Sequence, residues 1–219
     1  MKTPNTQTTG TGFETVFKPG YGDMVWSLSY AYMNGYKSIH YDGDEKLYEK
    51  YKDADSESVV ERLLYLNSSM EGDNLEISFD GKAEKIDVMN RKEPMPVWRF
   101  KDRWVGGGNY ITVQRLEPEF AKRKYDYEEW KYVQLTAVDI PLNYKIKYLD
   151  YTMPIKEVHQ LLKHAIHHYG YPGSTSHIAG LVETPYTVFA KDTQQAEKRH
   201  PKGRSILINS DIVNLGDFI

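Results

Sequence analysis

The sequence contains no cysteine, which excludes disulfide bonds and cysteine-ligated zinc sites and is compatible with a reducing cytoplasm. It also lacks any run of about 18 apolar residues, so no transmembrane helix is predicted. Neither sign of charge dominates: 28 Lys and Arg residues stand against 31 Asp and Glu residues, for a formal net charge of −3. This balance gives no general case for a nucleic-acid partner and leaves a local basic patch as the only route to one.

The first residues and the length of the chain bear on its localisation and its number of domains. Residues 1–12 are polar and rich in threonine, which predicts a disordered tail and no signal peptide, and hence a cytoplasmic protein. The 219 residues suffice for one large domain or two small ones with a hydrophobic core. The 18 tyrosines supply amphipathic rings, which suit stacking on sugars or bases and equally suit core packing.

The most informative stretch spans residues 153–189, whose pattern predicts helix, strand, turn, helix and strand. Apolar residues at helical spacing predict the first helix over residues 154–165, and residues 166–169 are rich in rings, as in a buried strand. The second helix stops at Pro185, before an apolar strand over residues 186–189. Between strand and helix come residues that break a strand and residues that can cap a helix: Gly170, Pro172, Gly173, Ser174, Thr175 and Ser176.

Such a turn is expected at the carboxyl end of a parallel strand, opening onto a helix N-terminus. Free N–H groups and the positive end of the helix dipole attract phosphate there. His177 falls in the first turn of that helix, where its ring can face the same ligand. An ordinary strand–helix–strand unit with a capped helix and a hydrogen-bonded histidine explains the composition equally well.

A similar unit is predicted near the start of the chain. Residues 14–17 and 38–41 are typical of strands, and the nearly continuous apolar run over residues 24–33 predicts a buried helix between them. The turn before this helix contains Gly20, Tyr21, Gly22 and Asp23. A glycine turn alone is a weak signal, because any tight connection from strand to helix accounts for it.

The remaining segments complete an α/β fold with two Rossmann-like domains facing each other across a cleft. Two prolines make residues 91–96 the best linker candidate, with a surface loop as the other interpretation. The predicted division is a tail (1–12), an N-terminal domain (13–95), a C-terminal domain (96–205) and a last segment (206–219) that packs back on the first domain. The charged composition of residues 194–203 predicts a loop. The patterns of apolar residues predict a helix over residues 59–67, and strands over residues 75–79, 86–89, 110–116, 132–135 and 145–149.

The two glycine turns together resemble those of the heptosyltransferase-like group of two-domain (GT-B) glycosyltransferases. The Gly22-Asp23 pair matches the opening turn of that group. This sequence departs from the group by having PGST at residues 172–175, where an acidic residue and then Ser/Thr-Gly are usual, by having Ser29 near the usual helix proline, and by being short. The second turn, the helix and the Thr-Pro pair match at Gly170, Gly173, Ser174, Thr175, His177, Ala179, Thr184 and Pro185.

The resemblance implies a reduced glycosyltransferase that moves a sugar from a nucleotide-sugar to a hydroxyl acceptor, without metal or another cofactor. Asp23 is the implied catalytic base, on an acceptor loop formed by Gly20, Tyr21 and Gly22. Lys124, assisted by Arg115 or Lys122, is expected to neutralise the donor diphosphate. The helix start from Gly173 to His177, with Ser174, Thr175 and Ser176, is expected to seat the diphosphate. The expected contacts to the donor sugar or base are Asp150, Tyr151 and Gly170.

Three alternatives stay open. The first is a Rossmann-like protein that binds a nucleotide or a sugar phosphate without turnover. The second changes the acceptor from a saccharide or lipid-linked sugar to a hydroxymethylated DNA base, as in phage enzymes, with a basic face at residues 122–124 or 198–204. The third is a zinc site at His164, His167, His168 and His177, which the strand-like sequence IHHY at residues 166–169 argues against.

Overall fold

A computed structural model of the chain describes residues 12–16, 21–42, 59–78, 84–85, 94–95, 97–115, 134–136, 145–150, 153–208 and 212–218. Within these ranges the protein is a mixed α/β fold, and all of its paired strands run parallel. The strands form a four-stranded sheet, a five-stranded sheet and a separate pair. The expected α/β class with parallel sheets is confirmed.

The first sheet has the strand order β3-β2-β1-β4. Because β1 has β2 on one side and β4 on the other, the strand order reverses beside β1, and the chain leaves β1 toward helix α1 at that point. The elements of this half are β1 (Gly12–Val16), α1 (Tyr21–Met33), β2 (Ser38–Asp42), α2 (Val59–Ser69), β3 (Glu76–Ser78) and β4 (Glu84–Lys85).

The second sheet has the strand order β10-β9-β8-β5-β7. Its elements are β5 (Tyr110–Gln114), β7 (Lys145–Leu149), α3 (Ile155–His164), β8 (His168–Gly170), α4 (Ser174–Val182), β9 (Tyr186–Ala190), α5 (Thr193–Arg199) and β10 (Arg204–Leu207). The order reverses between β5 and β8, because β5 leads on to β7 at one side whereas β8 leads through α4 to β9 at the other. The separate pair is β6 (Gln134–Thr136) with β11 (Ile212–Asn214), followed by a 3-10 turn (Leu215–Asp217).

The chain has two halves, one with the first sheet and one with the second, and helices of both halves pack around one common core. Buried residues of α1, α2, α3 and α4 belong to a single apolar cluster, which also contains Val188 of β9. Its neighbour Phe189 belongs to a second cluster, so the two clusters cover opposite faces of the second sheet. The second cluster includes Ile208, Val213 and Leu215. In its described part, the end of the chain therefore packs on the second sheet, whereas the expected return of residues 206–219 to the first domain stays a prediction.

Residues 94–95 and 97–108, here called the strap, tie the two halves together. Met95 and Phe100 are buried. The backbone N–H groups of the strap donate to carbonyls of both halves, with N···O distances of 2.8 Å from Lys101 to Ser69 in the first half and 2.9 Å from Phe100 to Leu181 in the second. Residues 94–95 belong to the stretch predicted as a linker, but Met95 is buried in the core. The predicted division into two domains with a cleft stays a prediction.

The positions of several helices and strands differ from the sequence-based prediction. Helix α1 begins at Tyr21 instead of residue 24, which places Gly22 and Asp23 inside the first helical turn. The predicted loop at residues 194–203 contains most of α5, whose Ala196 is fully buried. Strand β8 begins at His168, two residues later than predicted, because the helix before it ends at His164 and a bend follows. The strand predicted at residues 86–89 lies outside the described residues.

Candidate functional site

The candidate site lies at the carboxyl edge of the second sheet, where the strand order reverses. Arg115 directly follows β5, and Gly170 is the last residue of β8, the strand paired beside it. Ligands of open parallel sheets bind at such an edge. The predicted position of the glycine turn at the end of a parallel strand is therefore confirmed, whereas its binding of phosphate stays a prediction.

Helix α4 begins at this edge without a side-chain cap. The residue before its first turn is Gly173, which adopts an extended conformation, so the expectation that one of the three following hydroxyl residues caps the helix is wrong. The Ser176 hydroxyl turns back instead and donates to the carbonyl of Tyr171 at 3.0 Å. The start of α4 therefore offers backbone N–H groups and the positive end of its dipole to a ligand.

The glycines of the turn are required by close packing. A Cβ atom at Gly170 would lie 2.3 Å from the Ser176 hydroxyl oxygen and 2.9 Å from Nε2 of His168. A Cβ atom at Gly173 would lie 2.6 Å from Nε2 of Gln114. A side chain at Gly170 would displace Ser176 or His168, and one at Gly173 would displace the amide end of Gln114, so glycine at both positions lets the turn sit against the sheet.

Two buried polar residues hold this turn in a role that the sequence did not predict for them. Gln114, at the end of β5, accepts a hydrogen bond of 3.4 Å from the Ser176 hydroxyl through Oε1. His168, fully buried on β8, lies 3.1 Å from the Thr112 hydroxyl through Nδ1 and 3.2 Å from the Thr175 hydroxyl through Nε2. Burial, and then the neighbouring His167 and His200, lower the pKa of His168 to about 3, so the ring stays neutral. A polar residue ending an apolar strand is the signal that could have identified Gln114.

A shallow, open pocket lies beside the turn. Predicted site residues from two elements line it: Asp150, which follows β7, and Ser174 and Thr175 at the start of α4. The apolar floor of the pocket is formed by Met153, Ile155, Val158 and Ile178.

The first turn of α1 meets the first turn of α4. A Cβ atom placed on Gly22 would lie 2.8 Å from Nε2 of His177, so the backbone at Gly22 rests on the imidazole ring. Asp23 follows directly, in the same turn, and is half-buried. Both turns were predicted from the sequence, but their contact across the two halves was not.

His177 belongs to a ring cluster with Trp26 and His200. Its ring centroid lies 5.0 Å from the Trp26 ring in an edge arrangement and 4.2 Å from the His200 ring in a stacked one. Burial, and then the nearby Arg199, lower the pKa of His177 to about 3, and burial also keeps the pKa of His200 well below its ordinary value. Nδ1 of His177, both ring nitrogens of His200 and Nε1 of Trp26 are buried without a hydrogen-bond partner.

Four predicted site residues cannot be placed. Gly20, Lys122, Lys124 and Tyr151 lie outside the described residues, and so does the side chain of Tyr21. In the part of the chain that the structure describes, no group of three or more histidine and acidic side chains is arranged to hold a metal ion. Among the same residues, no helix combines the length and apolar character needed to cross a membrane.

Comparisons with known proteins find only distant similarity. No family model and no curated protein matches the sequence. Among solved structures, the chain is similar to the bacterial iron-containing dodecameric glycosyltransferase TibC from enterotoxigenic E. coli H10407, with a TM-score of 0.42 and 9% sequence identity. The matched region covers 82% of this chain and 58% of the TibC chain, so this chain spans less than two thirds of that protein. A TM-score this low carries no conclusion about activity.

Proposed function

We propose that this protein is a glycosyltransferase that moves a sugar from a nucleotide-sugar to a hydroxyl acceptor. One observation carries the proposal above all: the turn that holds Asp23 touches the first turn of α4 through Gly22 and His177. A carboxylate that can act as a base is therefore next to a helix start that can hold a diphosphate. Each turn follows a strand at which its own parallel sheet reverses order.

The donor diphosphate would lie between the start of α4 and Arg115. The side chain of Arg115 is exposed at the sheet edge, and guanidinium groups bind phosphate through paired hydrogen bonds. The carboxylate of Asp150, in the pocket beside Ser174 and Thr175, would accept hydrogen bonds from hydroxyl groups of the donor. Lys124 would add a second cation. Because the helix dipole and these cations neutralise the departing diphosphate, the proposed reaction needs no metal ion.

Asp23 would take the proton of the acceptor hydroxyl. The start of α1 favours its ionised form, which is the form that can accept a proton. A base on the α1 side and a leaving diphosphate on the α4 side would stand on opposite faces of the transferred sugar. Attack opposite to the leaving group inverts the anomeric carbon, so an inverting reaction of the GT-B type is proposed. The acceptor is a saccharide, a lipid-linked sugar or a hydroxymethylated DNA base.

A thermal-shift screen followed by a transfer assay tests this function. We expect one nucleoside diphosphate and its nucleotide-sugars to raise the free energy of unfolding by about 2.7 kcal/mol at 100 times the dissociation constant. The stabilising nucleotide-sugar is then incubated with saccharide and hydroxymethylated-DNA acceptors, and sugar transfer is measured by mass spectrometry. Stabilisation without transfer to any acceptor would favour a nucleotide-binding protein without turnover, and the absence of both would contradict the proposal.

Arg115→Gln should weaken binding of the nucleoside diphosphate by roughly 10- to 100-fold, because a hydrogen bond to a charged group contributes about 1.5–3 kcal/mol. Titration calorimetry at constant salt measures the effect. Arg103→Gln is the matched control. Nη1 of Arg103 lies 3.7 Å from Oε2 of Glu183, which follows the C-terminal end of α4 and is therefore remote from the start of that helix. Equal affinities of the Arg115→Gln variant and the unmodified protein would remove Arg115 from the donor site.

A further inference from the structure

We infer that His177, held by His200, is a positioning residue that sets the place of Asp23 relative to the donor site. This inference rests on the proposed function and gives the ring cluster of Trp26, His177 and His200 a role in it. It differs from the role expected from the sequence, in which the His177 ring contacts the donor.

The contact between His177 and Gly22 limits how closely the first turn of α1 can approach α4. Because a Cβ atom at Gly22 would lie 2.8 Å from Nε2 of His177, the ring and the helix backbone are already in direct contact. Gly22 and Asp23 are consecutive residues of one helical turn, and the distance between their Cα atoms is fixed at about 3.8 Å. A shift of the Gly22 backbone therefore moves the Asp23 backbone by a similar amount. The imidazole ring thus acts as a spacer between the base and the first turn of α4.

The spacer is held on two sides by other rings. The Trp26 ring meets it at an interplanar angle of 84°, and the His200 ring stacks on it at 22°. Exposed fractions of 3% for Trp26, 7% for His177 and 1% for His200 show that all three rings are enclosed. His200 is itself anchored at the end of α5, where its backbone N–H donates to the carbonyl of Ala196 at 2.7 Å. The His177 ring therefore cannot turn unless α1 or α5 moves.

The ring size and neutral state of His177 fit this role better than a ligand contact does. A six-membered ring would extend further than imidazole into Gly22, whereas a smaller side chain would leave a gap. A charged imidazolium would stand beside Arg199 and the positive ends of two helices. Joint coordination of a metal ion by His177 and His200 is also excluded, because two nearly parallel rings 4.2 Å apart cannot both point in-plane lone pairs at one ion at about 2.0–2.1 Å.

A double-mutant cycle on this contact tests the inference. Gly22→Ala adds a methyl group against the ring, and His177→Ala removes the ring. Each single variant should lower kcat by roughly 10- to 100-fold, because misplacement of a catalytic group by about 1 Å costs rates of this order. The dissociation constant of the nucleoside diphosphate, from calorimetry, should stay within about twofold since neither change reaches Arg115 or Ser174. The double variant should regain most of the lost kcat, because the new methyl group occupies part of the space left by the ring.

Two further variants support the cycle. Gly180→Ala, a matched helical glycine near the far end of α4, should leave kcat within about twofold of the unmodified protein. His177→Asn is used if His177→Ala does not fold, and it should lower kcat in the same way without changing donor affinity.

The outcomes separate the inference from the proposed function. If the unmodified protein transfers no sugar, the proposed function is overturned and the inference with it. If the unmodified protein is active but the losses of the two single variants simply multiply in the double variant, the inference alone is overturned. Weakened binding of the nucleoside diphosphate by either His177 variant also overturns it, because the ring would then contact the donor.

Discussion

Asp23→Asn is expected to reduce turnover by on the order of 10²-fold or more, while the fold and the affinity for the donor stay unchanged. Asparagine keeps the size of the side chain and its ability to accept a hydrogen bond at a helix start, but it cannot accept a proton from a hydroxyl group. A purely structural role in the first turn of α1 would limit the effect to about 0.3–1 kcal/mol of stability.

Measurements of kcat, the KM for the nucleotide-sugar and the dissociation constant of the nucleoside diphosphate distinguish the catalytic role of Asp23 from the structural one. Glu61→Gln is the control, because Glu61 is an exposed acid in the first turn of α2. This variant should have unchanged kcat. Near-normal turnover in a folded Asp23→Asn protein would contradict the assignment of the base and favour a structural or binding role.

Between pH 7 and pH 5 the protein should lose about 4 kcal/mol of stability through His168 and His177, about 2 kcal/mol for each, and further stability through His167, whose pKa burial and the nearby Arg204 lower to about 4. In the folded state burial lowers the pKa of the His168 and His177 rings to about 3, below the value near 6.5 of an unfolded chain. Their contribution is therefore fully present above pH 6.5 and is lost as the pH falls from there toward 3. His200, whose pKa is lowered by burial in the same direction, adds to the loss.

Urea unfolding at pH 7 and pH 5 measures this dependence. His168→Gln removes one titrating ring, so the difference in stability between the two pH values should be smaller by about 2 kcal/mol in that variant. Equal stability of the unmodified protein at both pH values would mean that these rings are not enclosed as described.

Local sequence patterns predicted those helices and strands whose residues show a regular apolar pattern along the chain. The helix at residues 155–164 has its apolar residues on one face, and strand β5 is an apolar run that is buried throughout, so both were found within about two residues. Helix α5 was missed because its residues are mainly polar and charged, and only its packing through Ala196 identifies it. Residues 94–95 were taken for part of a linker because the burial of Met95 results from contacts with residues far away in the sequence.

In the candidate site, too, features set by nearby residues were predicted, and contacts between distant residues were not. Gly170, Gly173 and the start of α4 were predicted, because glycines and hydroxyl residues mark turns and helix starts locally. The roles of Gln114 and His168 in holding the turn were missed, since these roles follow from strand neighbours far apart in the sequence. The contact of Gly22 with His177 joins residues from the two halves, and no local pattern encodes such a contact.

A crystal structure with the nucleoside diphosphate that stabilises the protein most will show whether the start of α4 seats a donor diphosphate beside Asp23. We expect the diphosphate on residues 170–176, with Arg115 on its oxygens and the sugar side of the diphosphate directed toward Asp23. A diphosphate bound elsewhere on the protein, with residues 170–176 unoccupied, would mean that the start of α4 is not the donor site.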